Sequence, residues 1–348
     1  MKNTGQQSDR HRILFDCSAI EPAIGYLRNR TDENLERLVS TQGSKVAYNH
    51  YLWSSFGSKL TFREFWKRNL EQTIWSKQLE TSIDAVKEYL ANRQESQWLS
   101  AVLGYLPKEH VFRTTVYLIP GYDNIVYGED IALNLNFRQF HIDHREVVYY
   151  LVHELAHAGY FRYRQMPELA KMRTVGDLLD VVRLLTHLEG MGVISPMKMR
   201  LEEGGVLDND YKVLLNDEER NKRVREYFSV LSRLENLRSQ DLCQKDFQVF
   251  EQMSGRTTRL WYVAGCHIAQ KIEMEYGAEM LRNLVKRGWQ EFFETYRNLK
   301  KSANNLITPP SLLIFASLPQ QNRISRKEEA PVRHTLVKKV CKRIVRAH

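Results

Sequence analysis

Cysteine is scarce in this 348-residue sequence: there are four, none paired as CxxC. Cys17, Cys243, Cys266 and Cys341 lie far apart, which excludes a thiolate zinc site and a dense disulfide framework. They read instead as buried small hydrophobes in a reducing compartment. Long apolar runs are absent too. None approaches the ~18 residues of a membrane span, and the N-terminal MKNTGQQSDRHR is polar where a secretory leader needs an apolar stretch, so a cytoplasmic location is expected. No internal repeat is visible. What is present is ordinary for a folded chain: 43% apolar and 27% charged residues, which argues against wholesale disorder and against a fibre.

The net charge of +9 would suggest a nucleic-acid or membrane surface if it were spread over the chain. It is not. From Arg323 to His348 there are nine Lys or Arg against two Glu, so the tail holds +7 and everything before it +2. Within that tail, Leu336, Val337, Val340, Cys341, Ile344 and Val345 fall on one helical face and five cations on the other. The pattern is compatible with nucleic acid, an anionic membrane or an acidic protein as partner.

Periodicity divides the chain into a flexible N-terminus (1–12), an N-terminal helical region (13–109), a catalytic region (110–299) and an appendage with the basic tail (300–348). In the helical region, Thr61 and Glu64 form a capping box ahead of Phe62, Phe65 and Trp66. Between Val111 and Asn136 the runs VFRTTVYL and DIALNLN flank the turn-forming Pro120–Asn124, which predicts a small antiparallel sheet. REVVYYLVHELAHAGYFRY is apolar almost all round, as a helix through the interior would be. A helix is expected from Thr174, with Asp177 completing its cap, to a stop at Gly190 and Gly192, and another from Ser195-Pro196 to Gly204-Gly205. Long helices are expected near 216–236 and 246–275. The fold class is α+β, mainly helical.

The interior helix carries His153-Glu154-Leu155-Ala156-His157, an HExxH sequence expected about 0.03 times by chance in a sequence of this composition. Positions i and i+4 share a helix face, so both imidazoles can reach one Zn²⁺, and Glu154 is placed to polarise a water. A catalytic zinc needs a third protein ligand. Tyr160 and Tyr163 stand where a metzincin carries Gly and His, which excludes that class. Among Glu168, Glu189, Glu202 and Glu203, helical phase places Glu189 with Leu178, Val182 and Leu185 on an apolar face, and His187 on the opposite, polar face with Asp180 and Arg183. Glu189 is therefore expected as the third ligand.

These residues resemble the gluzincin-type zinc metallopeptidases, defined by HExxH on one helix and a glutamate ligand on a later one. The resemblance covers roughly 110–300: DIALNLN, LVHELAHAGY, HLEGMG, then WYVAGCHIAQKIEMEYG and LVKRGWQEFFETY. This order is similar to a set of zinc-dependent peptidases in which a Glu-Gly dipeptide supplies the third ligand. Val193 stands where thermolysin-like enzymes place an Asp four residues after that ligand, so the thermolysin family proper is not implied. The resemblance implies a zincin-like fold with a helical C-terminal subdomain, zinc on His153, His157 and Glu189, Glu154 as general base, and a peptide or protein substrate. It also implies a donor for the developing oxyanion, with Tyr262 as first choice ahead of Tyr211 and Tyr160. Ile131 to Leu135 is the expected edge strand for an extended substrate. The rival reading is a catalytically weak binding or regulatory protein on the same scaffold, acting through the basic tail.

Overall fold

In a computed structural model of the protein, the described residues are 10–54, 60–71, 73–205, 208–255 and 257–307. The proline-containing apolar stretch from Thr308 onward and the basic tail therefore lie outside them. The chain opens on strand β1 (Arg12–Asp16) and continues through helices α1 (Ile20–Arg28), α2 (Asp32–Ser40), α3 (Gln42–Ser54), α4 (Phe62–Leu70), α5 (Lys77–Asn92) and α6 (Glu95–Leu103). Strands β2 (Arg113–Ile119), β3 (Ile125–Tyr127) and β4 (Asp130–Asn134) follow. The remainder is helical: α7 (Arg138–Ile142), α8 (Glu146–Phe161), α9 (Val175–Glu202), α10 (Asn209–Leu215), α11 (Asp217–Asn236), α12 (Gln248–Ser254), α13 (Leu260–Tyr276), α14 (Ala278–Arg287) and α15 (Trp289–Ile307). The protein is mainly helical with one small sheet. No helix among the described residues is long and apolar enough to cross a membrane.

The sheet is mixed rather than antiparallel. Its order is β1-β2-β4-β3, with β1 parallel to β2, β2 parallel to β4, and only β3 antiparallel to β4. The Pro120–Asn124 turn does not fold the chain back beside β2; it carries it outward, so that β3 pairs on the far side of β4. Strand β1 comes from a stretch expected to be helical, because its partner Arg113–Tyr117 lies about a hundred residues away and local periodicity cannot register it. Strand β4, expected as an edge, is interior, and the edge on that side is β3.

Side chains alternate across the sheet as a period of two requires. Val116, Leu118, Ile131 and Leu133 pack in the larger core with Val148, Leu151, Val152 and Leu155 of α8. Tyr117, Ile119, Ile125 and Ala132 face the opposite way, against Ala23, Leu38, Val46, Phe65 and Trp66 of the N-terminal helices. Both faces of β2 and β4 are thus covered, which is why these strands read as nearly continuous apolar runs. The capping box at Thr61 and Glu64 forms in full. The larger core also takes in Val86, Trp98 and Val102 of α5 and α6, so the N-terminal helices and the region after residue 110 share it.

The stretch expected to be two helices is one, α9, running 28 residues through Gly190, Gly192 and Pro196. Its Thr174–Asp177 capping box is present. The glycines thin the helix where neighbours cross rather than ending it. A Cβ at Gly190 would stand 2.7 Å from Gly265 Cα of α13, and one at Gly192 would meet the HExxH imidazoles. Pro196 removes one helical N–H, yet the helix continues past it from a stretch, 191–197, that is buried throughout. The helix expected over 246–275 is instead interrupted: α12 ends at Gly255, and α13 begins after Arg259, a non-glycine residue at φ +48°. Of the cysteines described, Cys266 is buried, Cys243 half-buried and Cys17 exposed.

Candidate metal centre

Helices α8 and α9 run antiparallel: Glu146 pairs with Arg200 at one end, and His153 and His157 face Glu189 further along. Helical spacing on α8 brings His153 and His157 to one face, ring centroids 4.5 Å apart and inclined at 64°. Glu189 Oε2 reaches across from α9 to 3.4 Å from His153 Nε2 and 3.3 Å from His157 Nε2. Glu154 turns to the other side of the second ring, with Oε2 3.8 Å from His157 Nδ1. Glu154, His157 and Glu189 are 3%, 6% and 3% exposed. Burial, and then the neighbouring His157, hold the His153 imidazole below the usual histidine value, which favours the neutral form that a metal needs.

Four residues here could hold a cation. His153, Glu154 and His157 offer ligand atoms within 4.8 Å of one another, and Glu189 faces the same two imidazoles. Tetrahedral zinc with bonds of about 2.0–2.2 Å places its ligand atoms about 3.3–3.5 Å apart. The Glu189-to-histidine separations fall in that range, whereas Glu154 is further off and faces Nδ1. The donor set of two imidazoles and one carboxylate suits zinc.

Gly192 is part of this geometry. A Cβ there would lie 2.6 Å from His157 Nε2 and 2.7 Å from His153 Cε1, so the bare backbone of α9 makes the room the two rings occupy. Gly192→Ala is expected to push both rings from their positions and to weaken zinc binding about tenfold or more, read by competition against a graded series of chelators.

His153 and Glu154 open onto a cleft of about 340 Å³. Its lining includes a stripe of α9, Val193, Pro196 and Arg200, and also Asp210, Tyr211 and Arg259. Arg200 is buried between the rings of Tyr149 and Tyr211, its guanidinium carbon 4.7 and 4.4 Å from their centroids, and bonds Glu146 at 2.6 Å. Burial pushes the Glu146 carboxyl up to about 7 against the pull of Arg200. Arg259 is clamped by Asp210 through bonds of 2.6 to 3.1 Å and lies 3.5 Å over the Tyr262 ring.

Tyr262 itself is fully buried beneath Arg259; burial, then the Glu189 carboxylate, hold its phenol well above the ordinary tyrosine value. Tyr211 lines the cleft, and its hydroxyl donates to the Val193 carbonyl at 3.0 Å. Tyr160 points elsewhere, to His187 Nδ1 at 3.0 Å. His187, expected on a polar face, is buried because α15 covers that side of α9: its ring stacks on Phe292 at 4.2 Å, and burial pushes its pKa down to about 3. Sequence reasoning missed Arg200, Arg259, Asp210 and Asn124, another lining residue from the β2–β3 turn. Arg200 shares the helical stripe of Glu189 and Val193, a signal hidden by ending the helix at the glycines.

A buried two-histidine, glutamate-bearing helix beside a second buried glutamate belongs with metal-dependent proteins, and the comparison with known families narrows the class. Residues 35–305 match the family described as putative zinc dependent peptidase (DUF5700), and the chain belongs to that family. No curated protein and no solved structure matches the chain.

Proposed function

We propose that the protein is a gluzincin-type metallopeptidase with a zincin-like fold, hydrolysing peptide bonds at a zinc held by His153, His157 and Glu189. The observation that carries this reading is the position of Glu189 Oε2, 3.4 and 3.3 Å from the two Nε2 atoms. Zinc bound there supplies Lewis acidity toward a water and a peptide carbonyl. The chain's own residues supply the rest. Glu154, at the edge of the cleft, takes the proton from the attacking water and delivers it to the leaving amine nitrogen. Tyr262, with Glu189 nearby and Arg259 on its ring, is assigned to the support of the developing negative charge. The substrate is a peptide or protein lying in the cleft, along an edge formed by β3 rather than β4.

Metal analysis tests the centre. Purified wild-type protein is expected to carry one zinc per chain, and His157→Ala and Glu189→Gln each to lose it at chelator concentrations the wild type withstands. Equal zinc content in the wild type and both variants would remove these ligands. Zinc lost in His157→Ala but kept in Glu189→Gln would remove Glu189 alone.

A further inference from the structure

We propose that the Asp208 carboxylate is a substrate-binding group of the cleft, pairing with an ammonium group of the peptide, either its free N-terminus or a lysine side chain. This rests on the peptidase reading and adds to it a charge preference, for substrates that bring a cation into the cleft beside the scissile bond.

The charges of the lining carry the argument. The charged side chains there are Glu154, Arg200, Asp208, Asp210 and Arg259. Arg259 is bonded by Asp210 at 2.6 to 3.1 Å, and Arg200 by Glu146 at 2.6 Å, so each cation has a carboxylate of its own. Glu154 serves the proton transfer. Asp208 is left: Arg200 and Arg259 act on it through space without a hydrogen bond, and its only donors among the described residues are two backbone amides.

Those amides fix the carboxylate and leave half of it open. Asp208 is the N-cap of α10, where Oδ1 accepts the backbone N–H of Asp210 at 3.1 Å and of Tyr211 at 3.4 Å. Oδ2 takes no donor from the described residues and is not sealed from solvent, in a side chain that is half-buried overall. The charge is felt within the cleft. Burial and then the Asp208 carboxylate hold the phenol of Tyr150, a lining residue of α8, well above the ordinary tyrosine value. Burial and then the neighbouring Asp210 hold the Asp208 carboxyl itself above the usual carboxylate range, as befits an anion short of counter-charge. An ammonium entering the cleft supplies that charge and donates to Oδ2, forming a charge-assisted bond.

The test compares matched hydroxamates on the zinc-loaded full-length protein, all sharing one metal-binding group, at about pH 7, where terminal and lysine amines are both mostly protonated. Di- and tripeptide hydroxamates with a free N-terminus are set against their N-acetylated forms, and acetylated compounds carrying lysine against the same compounds carrying norleucine. In the wild type at least one ammonium-bearing compound is expected to bind about tenfold more tightly than its neutral match; the pair that separates tells the terminal from the side-chain ammonium. Asp208→Asn keeps an oxygen for the N–H groups of α10 and removes the charge, and Asp208→Ser is a second uncharged cap. Both are expected to bring that ratio close to one, with zinc content unchanged. If no pair separates in the wild type, or if the separation survives in either variant, the Asp208 assignment falls while binding of the neutral compounds keeps the peptidase reading. If the zinc-loaded wild type binds none of the compounds, the peptidase reading falls and takes this assignment with it.

Discussion

Glu154→Gln is expected to lower kcat for peptide hydrolysis by about 10²–10⁴ while leaving zinc content and folding intact. The magnitude is that of removing a positioned general base and acid. Glutamine keeps the size and shape of the side chain at a 3% exposed position on α8, so the packing of that helix is not disturbed. What it loses is the ability to take a proton from water and hand it to the leaving amine. The same variant separates two metal sets. Glu154 and Glu189 both lie beside His157, one near Nδ1 and the other near Nε2. If Glu189 is the ligand, Glu154→Gln retains its zinc and loses turnover; if Glu154 is the ligand, the metal leaves with it. Zinc content by atomic emission beside kcat on a peptide-library substrate reads both. Unchanged turnover with zinc in place would end the role assigned to Glu154.

The approach of His153, His157 and Glu189 to one another was legible in the sequence because each obeys one local rule. HExxH is a helical i, i+4 pair, and Glu189 is in phase with the apolar residues of its own helix. The cleft around the centre was not legible, because it depends on where separate elements meet. Arg200 was hidden by the glycines of α9, which in isolation signal a helix end but here fit α9 against α13 and against the imidazoles. Arg259 and Asp210 lie about fifty residues apart in the chain and matter only as a bonded pair in the cleft lining. His187 shows the reverse error. Its phase beside Asp180 and Arg183 is polar, yet α15 returns to cover it, and a later helix cannot be inferred from the pattern of an earlier one. The sheet repeats the lesson, since β1 finds its partner far along the chain and β2 pairs in parallel with β4 across the intervening β3.

The glycine of α13 that faces Gly190 at the helix crossing makes the strongest stability prediction. Gly265→Ala places a methyl group where the Thr186 carbonyl oxygen already stands, 2.8 Å from Gly190 Cα and 3.0 Å from Gly190 N. All three are backbone atoms of α9, so no rotamer change makes room and the two helices must separate. A destabilisation of about 3 kcal/mol or more is expected, the upper end for overpacking because the obstruction is rigid. Glu189 adjoins Gly190, so the same separation draws its carboxylate away from imidazoles held on α8, and zinc affinity should fall with thermal stability. Gly277→Ala is the control. That glycine has φ +77° with nothing within 4 Å of its would-be Cβ, so alanine meets only the backbone penalty, about 1 kcal/mol, and zinc should be retained. Thermal melts with and without added chelator compare the two. A Gly265→Ala protein that melts like the wild type and holds zinc as tightly would show that the close crossing of α9 and α13 does not position Glu189.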